Sequence, residues 1–105
     1  MMPIVFEDEA RNEYREAIGY YHNIDPDLHL GFRAEVGHLL RFIASNPLVP
    51  RLRRHGVRRI NLERFAHYYI AYMIWKEQIV IVAIGHAKKR PYYWRRRPKG
   101  YRDTH

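Results

Sequence analysis

The stretch His67-Tyr68-Tyr69-Ile70-Ala71-Tyr72-Met73-Ile74-Trp75-Lys76-Glu77-Gln78-Ile79-Val80-Ile81-Val82-Ala83-Ile84 decides the fold. Its first half alternates: Tyr68, Ile70, Tyr72 and Ile74 share one face, Tyr69, Ala71, Met73 and Trp75 the other. That period of two, in β-branched and aromatic residues, predicts a strand. Lys76-Glu77-Gln78 is a tight turn. Ile79 to Gly85 is then apolar without a break, the pattern of a central strand covered on both faces. A hairpin whose second strand is buried on both sides needs a layer against it.

The chain before the hairpin supplies that layer. From Val57 the period is two, with Arg58, Ile60 and Leu62 opposite Val57, Arg59, Asn61 and Glu63, and Arg64-Phe65-Ala66 links this strand to the hairpin. Further back, Leu28, Phe32, Val36, Leu39, Leu40 and Ile43 form a helical stripe. Asn46-Pro47 ends it, because a residue before proline is driven out of the helical region. Ala10, Tyr14, Ala17, Ile18 and Tyr21 form an earlier stripe, with Asp8 and Glu9 at its N-terminus, where negative charge is favourable. Asp25-Pro26 between the two reads as an N-cap followed by proline at the first helical position, so the helices fold into an antiparallel hairpin. Ile4-Val5-Phe6 is a short first strand. The expected fold is α+β, β-α-α-β-β-β, with the helical hairpin packed on one face of a mostly antiparallel four-stranded sheet. Residues 1–105 read as a single domain with a basic C-terminal tail from about residue 95.

Charge is segregated along the chain. The net formal charge of +8 divides into −4 over residues 1–50, +5 over residues 51–87 and +7 over residues 88–105. Such asymmetry speaks of anionic partners. There is no cysteine, hence neither a disulfide nor a thiolate metal site. The apolar run Tyr68–Trp75 is far shorter than the roughly 20 residues of a membrane helix, and no signal-peptide core follows Met1, so the expected location is the cytoplasm, without a membrane partner. Seven histidines are scattered with no ligand spacing, the glycines form no phosphate loop, and Ser45, the one serine, sits in the last turn of a core helix. Neither a metal nor another cofactor is expected.

The candidate chemistry lies at the end of the chain, in His86-Ala87-Lys88-Lys89-Arg90-Pro91-Tyr92-Tyr93-Trp94-Arg95-Arg96-Arg97. Aromatics among cations stack on bases or fill a protein groove. Alternatively, Trp94 folds back to plug the sheet edge, with Pro91 fixing the turn. His86 is either a satisfied structural histidine or an acid–base group. The loop before the second strand carries Arg51, Arg53, Arg54 and His55 and no acid. It is either a solvated connector or a second basic segment, whose Arg58 and Arg59 face the same groove as the C-terminal cations. Glu7, Asp8, Glu9, Glu13 and Glu16 read as a solvent-facing acidic helix surface.

In order along the chain stand Phe6 and Ala10, Glu13 through Ala17, Tyr20-Tyr21, Leu30-Gly31-Phe32, Ile43 and Asn46-Pro47. Gly56-Val57-Arg58-Arg59, Phe65, Ile70 and Tyr72 follow, and then the ending His86-x-x-Lys89-x-Pro91-x-Tyr93-Trp94-x-x-Arg97. As an ordered set these resemble the ParE/RelE toxins of type II toxin–antitoxin modules, most closely the ParE, or plasmid-stabilisation, branch. The resemblance implies the same β-α-α-β-β-β fold. It also implies a toxin neutralised by a cognate antitoxin, whose extended or helical segment wraps it into a hetero-oligomer. The RelE-like branch cleaves mRNA in the ribosome with basic residues and a C-terminal tyrosine or histidine, whereas the ParE-like branch poisons DNA gyrase and is not a nuclease. Tyr93 falls where a RelE-like tyrosine would sit. The strand position that carries a catalytic arginine in several ribonucleases of the group is Tyr69 here. Ala66-His67 replaces a common Pro-Tyr, and Lys89 replaces arginine, which loses bidentate geometry at an anion.

Three functions follow. The first is a non-enzymatic inhibitor of gyrase and replication, contacting target or antitoxin through Arg58, Arg59, His86, Lys89, Arg90, Pro91, Tyr93, Trp94 and Arg97. The second is a ribosome-dependent mRNA endonuclease with Tyr93 and His86 as catalytic groups. The third is a basic nucleic-acid-binding domain with salt-dependent, unspecific affinity. The missing arginine and the aromatic C-terminal region favour the first.

Overall fold

The computed structural model describes residues 1–102. Its elements are β1 (Ile4–Phe6), α1 (Asp8–Ile24), α2 (Pro26–Ser45), β2 (Arg58–Asn61), β3 (Tyr68–Trp75), β4 (Gln78–His86) and a short α3 (Lys99–Arg102). This is the expected β-α-α-β-β-β order with one added turn of helix. Glu7 caps α1, its carboxylate accepting from Glu9 N at 3.1 Å. Asp25 serves both helices. Its backbone N–H closes α1 on Tyr21 O at 3.0 Å, and its carboxylate opens α2 by accepting from Asp27 N at 3.0 Å. One extended residue therefore turns the chain back, with Pro26 at the start of α2 where its missing N–H is harmless. Asn46 ends α2 by donating both its backbone N–H and its side-chain amide to Phe42 O.

The sheet order is β1-β4-β3-β2, with β1 parallel to β4 and the other pairs antiparallel. The hairpin thus places β4 and β3 in the centre. Its turn is tighter than the sequence suggests: Trp75 pairs with Gln78, and Lys76 and Glu77 both take left-handed backbones, φ 49° and 62°. Those values match the two-residue turn whose twist suits a hairpin. A bulge interrupts the β3–β4 pairing. Ala71 faces Ala83 and Tyr72 faces Ile81, which leaves Val82 as the extra residue. The side-chain phase slips there, so that Ile81 and Ile84 face the helices while Val82 and Ala83 both face away.

Two cores result. Between helices and sheet lie Ala10, Ala17, Phe32, Val36, Ile43, Leu62, Phe65, Ile70, Tyr72, Ile79, Ile81 and Ile84. On the opposite face Val57, Tyr69, Ala71, Met73, Val80, Val82 and Ala83 pack under Trp94, with Tyr92, Tyr93 and Tyr101 around it. The segment after residue 91 is therefore the second layer that the apolar run of β4 demands. Glu35 of α2 pins the β2–β3 link, accepting from the backbone N–H groups of Glu63, Arg64 and Phe65 at 2.7 to 3.2 Å. Among the described residues no helix is long and apolar enough to cross a membrane.

Candidate functional site

The parallel partner β1 stops early. Its last residue, Phe6, sits opposite Ile81, and Glu7 N donates to Ile81 O at 3.0 Å. Beyond the bulge, the Val82 C=O and Ile84 N–H face this open edge with no strand to meet them. Side chains take the place of a strand. Arg97 Nη1 donates to Val82 O at 2.9 Å, and Ile84 N donates to Glu13 Oε1 at 3.2 Å. The two side chains also bind each other, Arg97 Nη1 to Glu13 Oε1 at 2.9 Å and Nη2 to Oε2 at 3.3 Å. Arg97 Nε lies 3.0 Å from Glu9 Oε2. Tyr93 OH donates to Glu13 Oε2 at 2.5 Å, and Lys89 Nζ stands 3.6 Å from the same oxygen.

This junction corrects the reading of the acidic helix surface. Asp8, Glu9 and Glu16 are exposed, but the Glu13 side chain is only 10% exposed and Arg97 12%. Glu13 lies three residues after Ala10 and four before Ala17, both buried, so the helical stripe runs through it. That spacing is a signal for its burial, but a carboxylate buried with its partners more than seventy residues away is not visible from local pattern.

The junction fixes the chemistry of Tyr93. Burial, then the hydrogen bond to the Glu13 carboxylate, push its phenol far above the ordinary tyrosine range. The hydroxyl therefore stays protonated and engaged as a donor at neutral pH. The ring lies under two cations, Lys89 Nζ at 4.7 Å and Arg97 Cζ at 5.3 Å from its centroid.

His86 closes β4 opposite Tyr68, stacked on His67 at 5.7 Å and edge-on to Tyr68 at 4.8 Å. Burial, then the neighbouring His67, Lys88 and Lys89, lower its pKa from the ordinary histidine value, so the ring is neutral at pH 7. Its Nδ1 accepts from Lys88 N at 3.0 Å, which leaves the proton on Nε2. A cleft of about 300 Å³ between α1 and β4 is lined by Glu13, Glu16, Tyr20, Tyr68, His86 and Lys89, among others. Tyr93 is not in its wall. Among the described residues no hydrogen bond joins His86 to Tyr93: His86 Nδ1 is taken by Lys88 N and Tyr93 OH by Glu13.

Tyr69, at the position where the resemblance places an arginine in ribonucleases, is buried. Its hydroxyl accepts from Trp94 Nε1 at 3.0 Å. Its ring lies across Gly85, where a Cβ would come within 2.1 Å of Tyr69 Cζ. Trp94 is itself only 3% exposed and holds the second core together, the folding-back alternative carried onto the sheet face rather than its edge. Arg59 stacks on Tyr69 at 3.8 Å and bonds Asn61 Oδ1 at 2.9 Å.

Arg58 and Arg59 do not face one groove together. The two point to opposite faces, and Arg58 Nη1 is tied to the carbonyls of Leu48 and Pro50 at 3.3 and 2.7 Å. What does meet the C-terminal segment is His55, whose ring approaches Tyr92 at 5.5 Å and Trp94 at 6.4 Å. Lys88, Arg90, Pro91 and Arg96 are exposed. Among the described residues neither the Arg90 nor the Arg96 side chain makes a hydrogen bond or ion pair.

The chain matches, over residues 4–91, the family model described as ParE toxin of type II toxin-antitoxin system, parDE. The matched region ends before Tyr93, Trp94 and Arg97. No curated protein matches the chain.

Proposed function

The chain belongs to the ParE toxin family of type II toxin–antitoxin systems, which implies a cognate antitoxin as partner, and from that premise we propose that it acts as a protein-binding inhibitor of DNA gyrase and replication in the cytoplasm. The observation that carries this over RNA cleavage is the engagement of Tyr93. A base for a 2′-hydroxyl must give up its proton near neutral pH, and a phenol held far above its ordinary range by burial and by Glu13 does not. His86 is no better placed, since its Nδ1 is occupied by Lys88 N and its other nitrogen bears the proton. Tyr69 puts a phenol, which is never cationic, where the resemblance calls for a cation, and its side chain is built into the second core.

In this reading Tyr93, Trp94 and Arg97 hold the sheet edge and the second core together rather than react. The exposed cations Lys88, Arg90 and Arg96 form the charged surface that meets the target. The purified chain is expected to block gyrase-catalysed supercoiling of a relaxed plasmid. It is expected to leave mRNA intact on translating ribosomes, and Tyr93→Phe should keep the gyrase effect. Site-specific cleavage of ribosome-bound mRNA, lost in Tyr93→Phe, would overturn the proposal.

The cleft holding His86, Lys89 and Glu13 is the observation that favours the RelE-like reading. It sets a histidine and a lysine together in one concave surface, but with two carboxylates in the same wall. Carboxylates facing a phosphate are repulsive, which ranks this reading second.

A further inference from the structure

The turn after α2 displays three large aliphatic side chains in a row of five residues: Leu48 is 67% exposed, Val49 67% and Leu52 57%. Nothing about this turn is slack. Tyr72, fully buried, donates its hydroxyl to Pro47 O at 2.6 Å, and Arg58 Nη1 reaches both Leu48 O and Pro50 O. Val49 N donates to Asn46 O at 3.2 Å, Arg53 N to Val57 O at 2.8 Å, and Leu52 bridges Arg58. Three of the four carbonyls from Pro47 to Pro50, those of Pro47, Leu48 and Pro50, are thus tied to Tyr72 and Arg58 of the sheet, while the Leu48, Val49 and Leu52 side chains stay exposed. Around them stand Arg51 and Arg54, exposed, in a segment from Pro47 to Leu62 that contains no acid.

We infer that this turn is a docking knob for the antitoxin, and that it takes an acidic segment carrying aliphatic side chains. The inference rests on the family membership but not on the choice between gyrase and ribosome. A nucleic acid would use the arginines and gain nothing from three aliphatic groups, since its affinity comes from phosphate neutralisation. A second copy of the chain would bring another set of arginines against Arg51 and Arg54, and like charges at an interface are repulsive. An acidic, aliphatic-bearing segment satisfies both features at once. The tethered carbonyls matter energetically. A loop already fixed in its bound form loses little freedom on association, so more of the burial appears as affinity. The aliphatics provide the adhesion and the arginines the rate of encounter.

The test uses the cognate antitoxin, co-expressed and purified as the complex, with the Leu48→Ser/Val49→Ser/Leu52→Ser variant and separately Arg51→Glu/Arg54→Glu. The side chains are solvent-facing, so the free variants should melt where the wild type does and still arrest growth. The serine variant should bind antitoxin at least about a hundred-fold more weakly through faster dissociation, as loss of a hot-spot cluster does. The charge reversal should slow association about ten-fold and flatten its salt dependence. Wild-type affinity in both variants would overturn the inference. So would lost toxicity with antitoxin binding intact, which would make the knob a target contact. A dimer of the free chain that the serine variant dissociates would also overturn it, as would single-stranded oligonucleotide binding that the serine variant abolishes. If the wild-type chain itself fails to arrest growth, the toxin reading falls while the affinity arm still tests the knob.

Discussion

Where α1, β4 and the C-terminal segment join, one carboxylate and one guanidinium complete the hydrogen bonding of a sheet edge. Glu13 accepts from a backbone N–H, a phenol and Arg97; Arg97 donates to a backbone carbonyl and to two carboxylates. Removing one member of such a pair leaves the other buried without its partner. Glu13→Gln should therefore destabilise the fold by roughly 3 kcal/mol in urea titration, the low end for a broken buried pair because Glu9 remains beside Arg97. A loss under about 0.5 kcal/mol, the size of an exposed pair, would show the junction to be ornamental. The buried phenols add an alkaline limit. Burial raises Tyr72 from 10.0 to about 12, so well below pH 10 it is neutral whether folded or unfolded. Between those values only the unfolded chain loses the proton, and stability falls as pH rises. Tyr72→Phe should reduce that slope by up to about 1.4 kcal/mol per pH unit, measured by denaturation at pH 9 to 11.5. An unchanged slope would place Tyr72 outside the core. Glu13 shows why such residues escape a sequence reading: spacing marked its helix face, but charge argued for solvent, and Tyr93 and Arg97 are brought to it only by the completed sheet.

The elements themselves were legible because each rests on a local period and a local cap. The stripes of α1 and α2, the double role of Asp25-Pro26 and the alternation of β3 all involve neighbours within four residues. The apolar run of β4 correctly demanded cover on both faces, and Trp94 supplies it on the second. The bulge at Val82 was not legible, since it changes the pairing without changing the composition of an already apolar strand. The opposite facing of Arg58 and Arg59 was written in the period of two, and convergence on one groove contradicted it. Turn geometry offers a direct check. Lys76 and Glu77 both hold positive φ, a strain that side chains with a Cβ resist and that Asn-Gly does not. Lys76→Asn/Glu77→Gly should raise stability by about 1 kcal/mol in the same urea assay. A loss would mean that the Lys76 or Glu77 side chain holds the turn.

Across the molecule, the segregated charge of the chain is partly folded back on itself. Arg97 and Lys89, two of the eight C-terminal cations, turn to acids of α1. Lys88, Arg90 and Arg96 stay exposed, and Arg51 and Arg54 flank the aliphatic knob. Net charge alone would suit a nucleic-acid binder. The internal pairing of the residues best suited to RNA chemistry, and the aliphatic side chains held among the free arginines, suit a protein-binding toxin. The most direct measurement is induction of this chain alone in bacteria, with separate pulse labels for DNA and protein synthesis over the first minutes. The account predicts that DNA synthesis stops first, with DNA-damage signalling, and that Tyr93→Phe behaves the same way. Translation stopping first, with Tyr93→Phe inactive, would contradict it.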